Sequence, residues 1–147
     1  MTEKAREMLH ATALAIDDHG ILLTGESGIG KSDLALRLID RGAILISDDV
    51  VHLETQKDKL VLHTPPAIAG KIEIRSLGIV DIPYTSAIDL VLKIRLIDPT
   101  ERYPLDRRVE TILETPIATV AIAPKEASAP IKVEFALKHA LESKNQL

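Results

Sequence analysis

The stretch Gly25-Glu26-Ser27-Gly28-Ile29-Gly30-Lys31-Ser32 restricts the fold more than any other part of the chain. It satisfies the spacing G-x-x-x-x-G-K-[ST] in full. Such a loop works between the end of a strand and the start of a helix. There its backbone N–H groups converge on an anion, and the helix dipole points at the same place. Glycines at both ends and in the middle allow the tight turn. The flanks agree with this demand. Ile21-Leu22-Leu23 reads as a short buried strand, and from Ser32 to Arg41 the residues Leu34, Ala35, Leu38 and Ile39 make one apolar helical stripe. Gly42 stands where a helix C′ glycine belongs. Residues Gly25 to Ser32 are therefore the expected phosphate-binding set. Lys31 brings a mobile positive charge for β- and γ-phosphates, and Ser32 a hydroxyl suited to Mg²⁺.

The rest of the chain reads as strands with few helices. Leu9–Ile16 alternates, with His10, Thr12, Leu14 and Ile16 on one face, and Asp17-Asp18-His19-Gly20 is turn chemistry leading back into Ile21. Ala43–Ser47 is a short apolar strand ended by Asp48-Asp49. Val50–Glu54 and Leu60–His63 pair as a hairpin across the polar turn Thr55–Lys59. Pro65-Pro66 interrupts the chain, and Ile88–Leu96 is a strongly apolar strand. Pro99 and Pro104 bracket a charged loop running to Asp106-Arg107-Arg108. Apolar stretches follow at Ile117–Ile122 and Ile131–Val133, and a terminal helix is expected from about Glu134. The expectation is an α/β fold in one domain over 1–147, a phosphate-loop domain with a mixed sheet richer in strands than a doubly wound fold.

Composition removes several functions. The 147 residues carry a net charge of −4, with one Phe, two Tyr and no Trp. That balance argues against a nucleic-acid partner held through its phosphates, and the aromatics are too few for a base-stacking platform. No apolar run approaches the roughly 20 residues of a membrane span, so no membrane partner is expected. The absence of cysteine removes disulfides, thiolate metal sites and cysteine nucleophiles, and fits a reducing, cytoplasmic setting.

Asp48 and Asp49 follow a strand that comes after the loop helix, which puts them near the phosphate cradle. They suit Mg²⁺ coordination or acceptance of a proton from an attacking hydroxyl; a solvated turn is the bland alternative. Glu73 and Arg75 alternate with Ile72 and Ile74, which places both charges on one side of an extended segment, and by themselves they read as an exposed strand face. His10 alone on a strand reads as structural, and His19, His52, His63 and His139 lack metal-ligand spacing.

Together these segments resemble the catalytic domain of bacterial HPr kinase/phosphorylase. The resemblance rests on His10 lying fifteen residues before Gly25, on Ser47-Asp48-Asp49 after the loop helix, and on Glu73-Ile74-Arg75-Ser76-Leu77-Gly78-Ile79-Val80-Asp81. The last matches the family signature E-[IL]-R-G-L-G-[IL]-[IV]-[DN] except at Ser76. The resemblance implies a phosphoenolpyruvate-carboxykinase-like phosphate-loop kinase core, here without the family's N-terminal accessory domain. It implies an ATP- and Mg²⁺-dependent serine kinase acting on an HPr-like phosphocarrier protein of the phosphotransferase system, with phosphorolysis as the reverse activity. By the same resemblance Asp49 is the proton acceptor, Asp48 supports it or the metal, and His10 stands beside it. Ser32 and Glu73 hold Mg²⁺, Lys31 contacts the transferred phosphate, and Arg107, or its neighbour Arg108, is the later catalytic arginine. The family's late Gly-Arg-Asn loop, tied to dephosphorylation, reads Pro124-Lys125-Glu126-Ala127-Ser128 here and lacks the arginine. A homo-oligomer, a hexamer in the family, is implied as well. Two other readings stand beside this one: a small-metabolite kinase with the same cradle, and a regulatory module that binds ATP or phosphate without turnover.

Overall fold

The computed structural model describes residues 6–100 and 108–144. Arg107 falls outside them. Among the described residues eleven strands and two α-helices form an α/β architecture: β1 Arg6–Leu9, β2 Thr12–Ile16, β3 His19–Thr24, α1 Lys31–Asp40, β4 Ile44–Ser47, β5 Val51–Gln56, β6 Lys59–His63, β7 Lys71–Ile74, β8 Gly78–Asp81, β9 Ile88–Leu96, β10 Arg108–Ile112, β11 Thr115–Ile122 and α2 Ala129–Lys144. Nine strands join one sheet in the order β1-β5-β6-β9-β3-β2-β4, with β11 also on β9 and β10 on β11; β7 and β8 pair separately. The β3–β9 and β9–β11 pairs are parallel and the remaining pairings antiparallel, so the sheet is mixed.

With so few aromatics the core is aliphatic, and alternation along the strands divides it between two faces. Leu14, Ile21, Leu23, Leu92 and Ile94 pack with Leu34 and Leu38 of α1 and with Val133 and Leu137 of α2. On the other face Ala13, Ala15 and Leu22 meet Leu53, Leu60 and Leu62 of the β5–β6 hairpin, along with Ile112 and Ile117. The small alanines of β2 make room for that second layer. β9 belongs to both parts of the sheet: Ile88 and Asp89 pair with β6, while Leu90–Arg95 pair with β3. Where the two parts meet, the β3–β9 register shifts at Gly20. A Cβ there would lie 2.6 Å from Asp89 O and 2.9 Å from Leu62 Cδ1. Only glycine admits that approach.

Three hairpins turn on two residues with positive φ, the type I′ geometry that matches strand twist: Asp17-Asp18, Lys57-Asp58 and Leu113-Glu114. The last pair carries no turn signal, which is why β10 goes unpredicted from sequence. The expected continuous strand Leu9–Ile16 is instead broken at His10 and Ala11, since β1 pairs with β5 and β2 with β3 and β4. The terminal helix begins at Ala129, earlier than the expected Glu134. Ser128 occupies its N-cap, with Ser128 O accepting from Lys132 N at 2.9 Å, and Pro130 is tolerated in the first turn. α1 ends in a Schellman motif, Gly42 N–H donating to Ile39 O and Ala43 N–H to Leu38 O. No helix among the described residues is long and apolar enough to cross a membrane.

Two substitutions test these constraints by chemical denaturation. Gly20→Ala is expected to destabilise by about 1–3 kcal/mol, because a backbone carbonyl must move. Ser76 sits at φ 75 in a turn closed by Leu77 N–H to Ile74 O at 2.9 Å, the third position of a type II turn. There Ser76→Gly is expected to stabilise by roughly 0.5–1 kcal/mol, the left-handed cost of serine less the entropy cost of glycine.

Candidate active site

Strand direction gathers the predicted residues at one end of the sheet. β3, β9 and β11 run parallel, so the segments after Thr24, Leu96 and Ile122 leave the same edge. β4 runs the same way because it and β3 are both antiparallel to β2, so Asp48 and Asp49 emerge there, as does the start of β2 at Thr12. This is the carboxyl edge at which α/β sheets bind ligands.

The phosphate loop leaves β3 at Thr24 and enters α1 at Lys31. Gly25, Gly28 and Gly30 take φ of 153, 82 and 117, and Ile29 N–H donates to Glu26 O at 3.1 Å. Gly30 is the helix N-cap and no side chain caps it, so the first amides of α1 face the loop's mouth. The Lys31 ammonium curls back to donate to Gly25 O at 2.8 Å and Glu26 O at 3.0 Å. A cation held by two carbonyls at the edge of an uncapped helix end is the arrangement an anionic phosphate chain would complete.

Asp48 is the centre of the site. It is 8% exposed. Its Oδ1 accepts from Ser32 Oγ at 2.8 Å and from Thr12 Oγ1 at 3.0 Å, and its Oδ2 from the backbone N–H of Glu73 at 3.2 Å. Three donors from α1, β2 and β7 satisfy a buried carboxylate and bring Ser32 and Glu73 to one point. Asp49 is exposed, with φ 70, while Ala11 N–H donates to its carbonyl at 3.1 Å. His10 is exposed beside that contact, in the gap between β1 and β2, rather than on a strand face. Glu73 is exposed on β7 as expected, whereas Arg75 belongs to the turn that follows.

With its proton given to Asp48, the Ser32 oxygen keeps lone pairs free for a cation, and the set of hydroxyl and carboxylate oxygens suits a hard ion. No group of three or more histidine, aspartate or glutamate side chains among the described residues forms a cage for a metal. Mg²⁺ does not require one, since nucleotide phosphates and water usually supply most of its ligands.

Beside the loop lies a shallow pocket of ≈ 200 Å³ between Ser27–Ile29, Ile97–Pro99 and Pro124–Lys125. Two features shape it that sequence reasoning does not single out. The Asp98 carboxyl is held below its usual range by the N–H and hydroxyl of Thr100, at 2.9 and 2.7 Å. Arg37 of α1 donates to Pro124 O and, at 3.2 Å, to Glu126 O, while pairing with Asp33 at 3.1 Å. In sequence, Asp33 and Arg37 look like an ordinary helical i,i+4 pair. In the fold Arg37 also ties the late loop to the phosphate-loop helix.

Comparison with known proteins points to one family. The family model described as HPr Serine kinase C-terminal domain matches residues 3–144. The HPr kinase/phosphorylase of Clostridium beijerinckii is 35% identical over 92% of this chain and 50% of its own length. That of Clostridium tetani is 44% identical over 60% of this chain and 29% of its own length. The chain thus spans half or less of these relatives. A solved structure, the Hpr(Ser) kinase/phosphatase from Coxiella burnetii, superposes with a TM-score of 0.83 at 33% identity, covering 94% of this chain and 99% of that one. With a family model spanning nearly its whole length, the chain belongs to the HPr Serine kinase C-terminal domain family.

Proposed function

We propose that the chain is the catalytic domain of a serine kinase that uses ATP and Mg²⁺ to phosphorylate an HPr-like phosphocarrier protein in the cytoplasm. The observation that carries this reading is the position of Asp48. It ties Ser32 of the phosphate loop to the strand bearing Glu73 and is followed directly by the exposed Asp49. The names of the matched relatives supply the carrier.

ATP brings the γ-phosphoryl group, and Mg²⁺ offsets the charge on its oxygens. Ser32, Asp48 and Glu73 would hold the metal. The loop amides bind the phosphate chain, and Lys31 leaves the carbonyls of Gly25 and Glu26 to follow the transferred group. Asp49 accepts the proton of the acceptor serine as its Oγ attacks phosphorus and the β–γ bridging oxygen departs with ADP. His10 and Arg107 complete the set in this reading, His10 near the Asp49 backbone and Arg107 on the transferred phosphoryl group. In the reverse direction, inorganic phosphate attacks the phosphoserine, releasing pyrophosphate, and Asp49 returns the proton.

An exposed Asp49 and Glu73 favour a macromolecular acceptor over a small metabolite. Assembly into a hexamer belongs to the same reading, and the molar mass in solution, measured by light scattering, tests it.

Kinase assays with ATP, Mg²⁺ and purified carrier decide the main reading, and a second arm with phosphate and phosphoserine carrier reports phosphorolysis as pyrophosphate. Lys31→Ala is expected to abolish transfer and strongly weaken nucleotide binding. Asp49→Asn is expected to slow transfer by about 10²–10⁴-fold with nucleotide binding intact; wild-type activity in that variant would remove Asp49 as the base. Arg37→Ala frees the late loop, and it is expected to raise the KM for ATP about tenfold, roughly 1.4 kcal/mol, with a smaller change in kcat.

A further inference from the structure

Thr12 is an uncharged member of the aspartate cluster, buried beneath it. It is 0% exposed and opens β2 just past the break that leaves His10 at the surface. Its Oγ1 lies 3.0 Å from Asp48 Oδ1 and 3.4 Å from the backbone nitrogen of Asp49. A threonine hydroxyl has one proton and two lone pairs, whereas an ionised carboxylate only accepts. The proton therefore lies toward Asp48, and a lone pair faces the Asp49 amide. One oxygen atom orients two successive acidic residues, the first through its side chain and the second through its backbone.

The Asp49 peptide depends on such contacts. Its φ of 70 is left-handed, a conformation that a residue with a side chain keeps only where its neighbours hold it. Thr12 accepts its N–H, Ala11 donates to its carbonyl at 3.1 Å, and Val50 N–H donates to Asp48 O at 2.8 Å. Ser47 Oγ donates to Val50 O and closes the turn. Of these groups only Thr12 reaches both aspartates through its side chain. Valine in its place would fill the same volume, yet leave the Asp49 amide and a lone pair of Asp48 without that partner.

The geometry points to Thr12 as a positioning residue for phosphoryl transfer. It fixes Asp49 relative to Asp48, and so relative to Ser32 and Glu73, so that the Asp49 carboxylate meets the acceptor hydroxyl. This inference rests on the kinase reading above. Thr12 touches no reacting atom and no phosphate-loop backbone, so its removal changes the rate of transfer far more than nucleotide affinity.

The test compares wild type, Thr12→Ser, Thr12→Val and Thr12→Ala with Mg·ATP and purified HPr-like carrier. It measures kcat, both KM values, Mg·ADP affinity by calorimetry, and amide hydrogen exchange across residues 47–50. Serine keeps the hydroxyl, and kcat is expected within about threefold of wild type; valine is expected to lower kcat by roughly 30- to 100-fold, the scale of a misplacement near 1 Å. Nucleotide affinity and the KM for ATP stay within about twofold in both, since the phosphate loop is untouched. Exchange at Asp49 and Val50 accelerates in the valine variant and not in the serine variant. Thr12→Ala repeats the valine result, and takes its place if valine prevents folding. The inference is overturned by wild-type kcat in Thr12→Val, by serine as slow as valine, or by nucleotide affinity that falls in step with kcat. If wild type transfers nothing to the carrier, the kinase reading fails by itself. The exchange comparison then decides whether Thr12 holds Asp49: faster exchange in valine alone supports it, and equal exchange in serine and valine overturns it.

Discussion

The Asp48 carboxylate is the interaction on which the site's geometry depends. A nearly buried negative charge is costly unless donors surround it, and here three donors arrive from parts of the chain distant in sequence. Each fixes a different element. The Ser32 hydroxyl locks the first turn of α1 and with it the phosphate loop. Thr12 anchors the start of β2. The Glu73 amide secures the small β7–β8 sheet, which shares no strand pairing with the main sheet and otherwise packs through Ile72 and Ile74. Without Asp48, the segment carrying Glu73 would keep its apolar attachment but lose its polar register against the loop.

The sheet makes this convergence possible through strand direction. A parallel core of β3, β9 and β11 sends three connections out at one edge, and β4 adds a fourth. The layer behind it is built to leave that edge alone. The β5–β6 hairpin covers the alanine face of β2, and Glu110 on β10 pairs with Lys93 at 2.7 Å and Arg95 at 3.0 Å. The hydrogen bond from Lys93 is the main reason the Glu110 carboxyl sits below its usual range, with the charges of Lys93 and Arg95 adding to it. These basic residues on the central strand therefore already have an anionic partner, whereas the Lys31 ammonium, among the described residues, donates to two carbonyl oxygens.

Much of this was legible in the sequence, and the residues show why. The phosphate loop is a local motif whose backbone demands are written in its glycines, so Gly25 to Ser32 and the helix after them needed no tertiary information. Asp48 and Asp49 were placed correctly at a strand end, but sequence gives no means of telling that one is buried and the other exposed. That difference arises from the left-handed turn at Asp49 and from donors up to 36 residues away. Thr12 is one polar position in an alternating strand and Arg37 is not singled out by the sequence at all; their distant partners are visible only in three dimensions. β10 was missed because Leu113 and Glu114 turn a hairpin without glycine or asparagine. The break in the early strand is hidden in the sequence because the alternation runs unbroken through His10 and Ala11, while strand pairing changes there from β5 to β3 and β4.

The pair Asp48-Asp49 obtains two environments from adjacent residues by means of a turn close to energetic balance. A left-handed residue with a side chain costs about 1–2 kcal/mol, somewhat less for aspartate. Each hydrogen bond holding it contributes roughly 0.5–1.5 kcal/mol net. Against that cost stand the bonds at Ala11 and Val50, and the longer contact to Thr12 at 3.4 Å. The sum leaves little margin, so the conformation of Asp49 is set by its neighbours rather than by its own preference. A turn arranged this way couples the exposed Asp49, through its backbone, to the buried Asp48 carboxylate by one buried hydroxyl. It also keeps Asp49 at the surface. Burying Asp49 beside Asp48 would set two carboxylates together in low dielectric and force one of them to hold a proton. The left-handed turn avoids that conflict, and the modest strain it stores is the physical condition for having a buried and an exposed aspartate in consecutive positions.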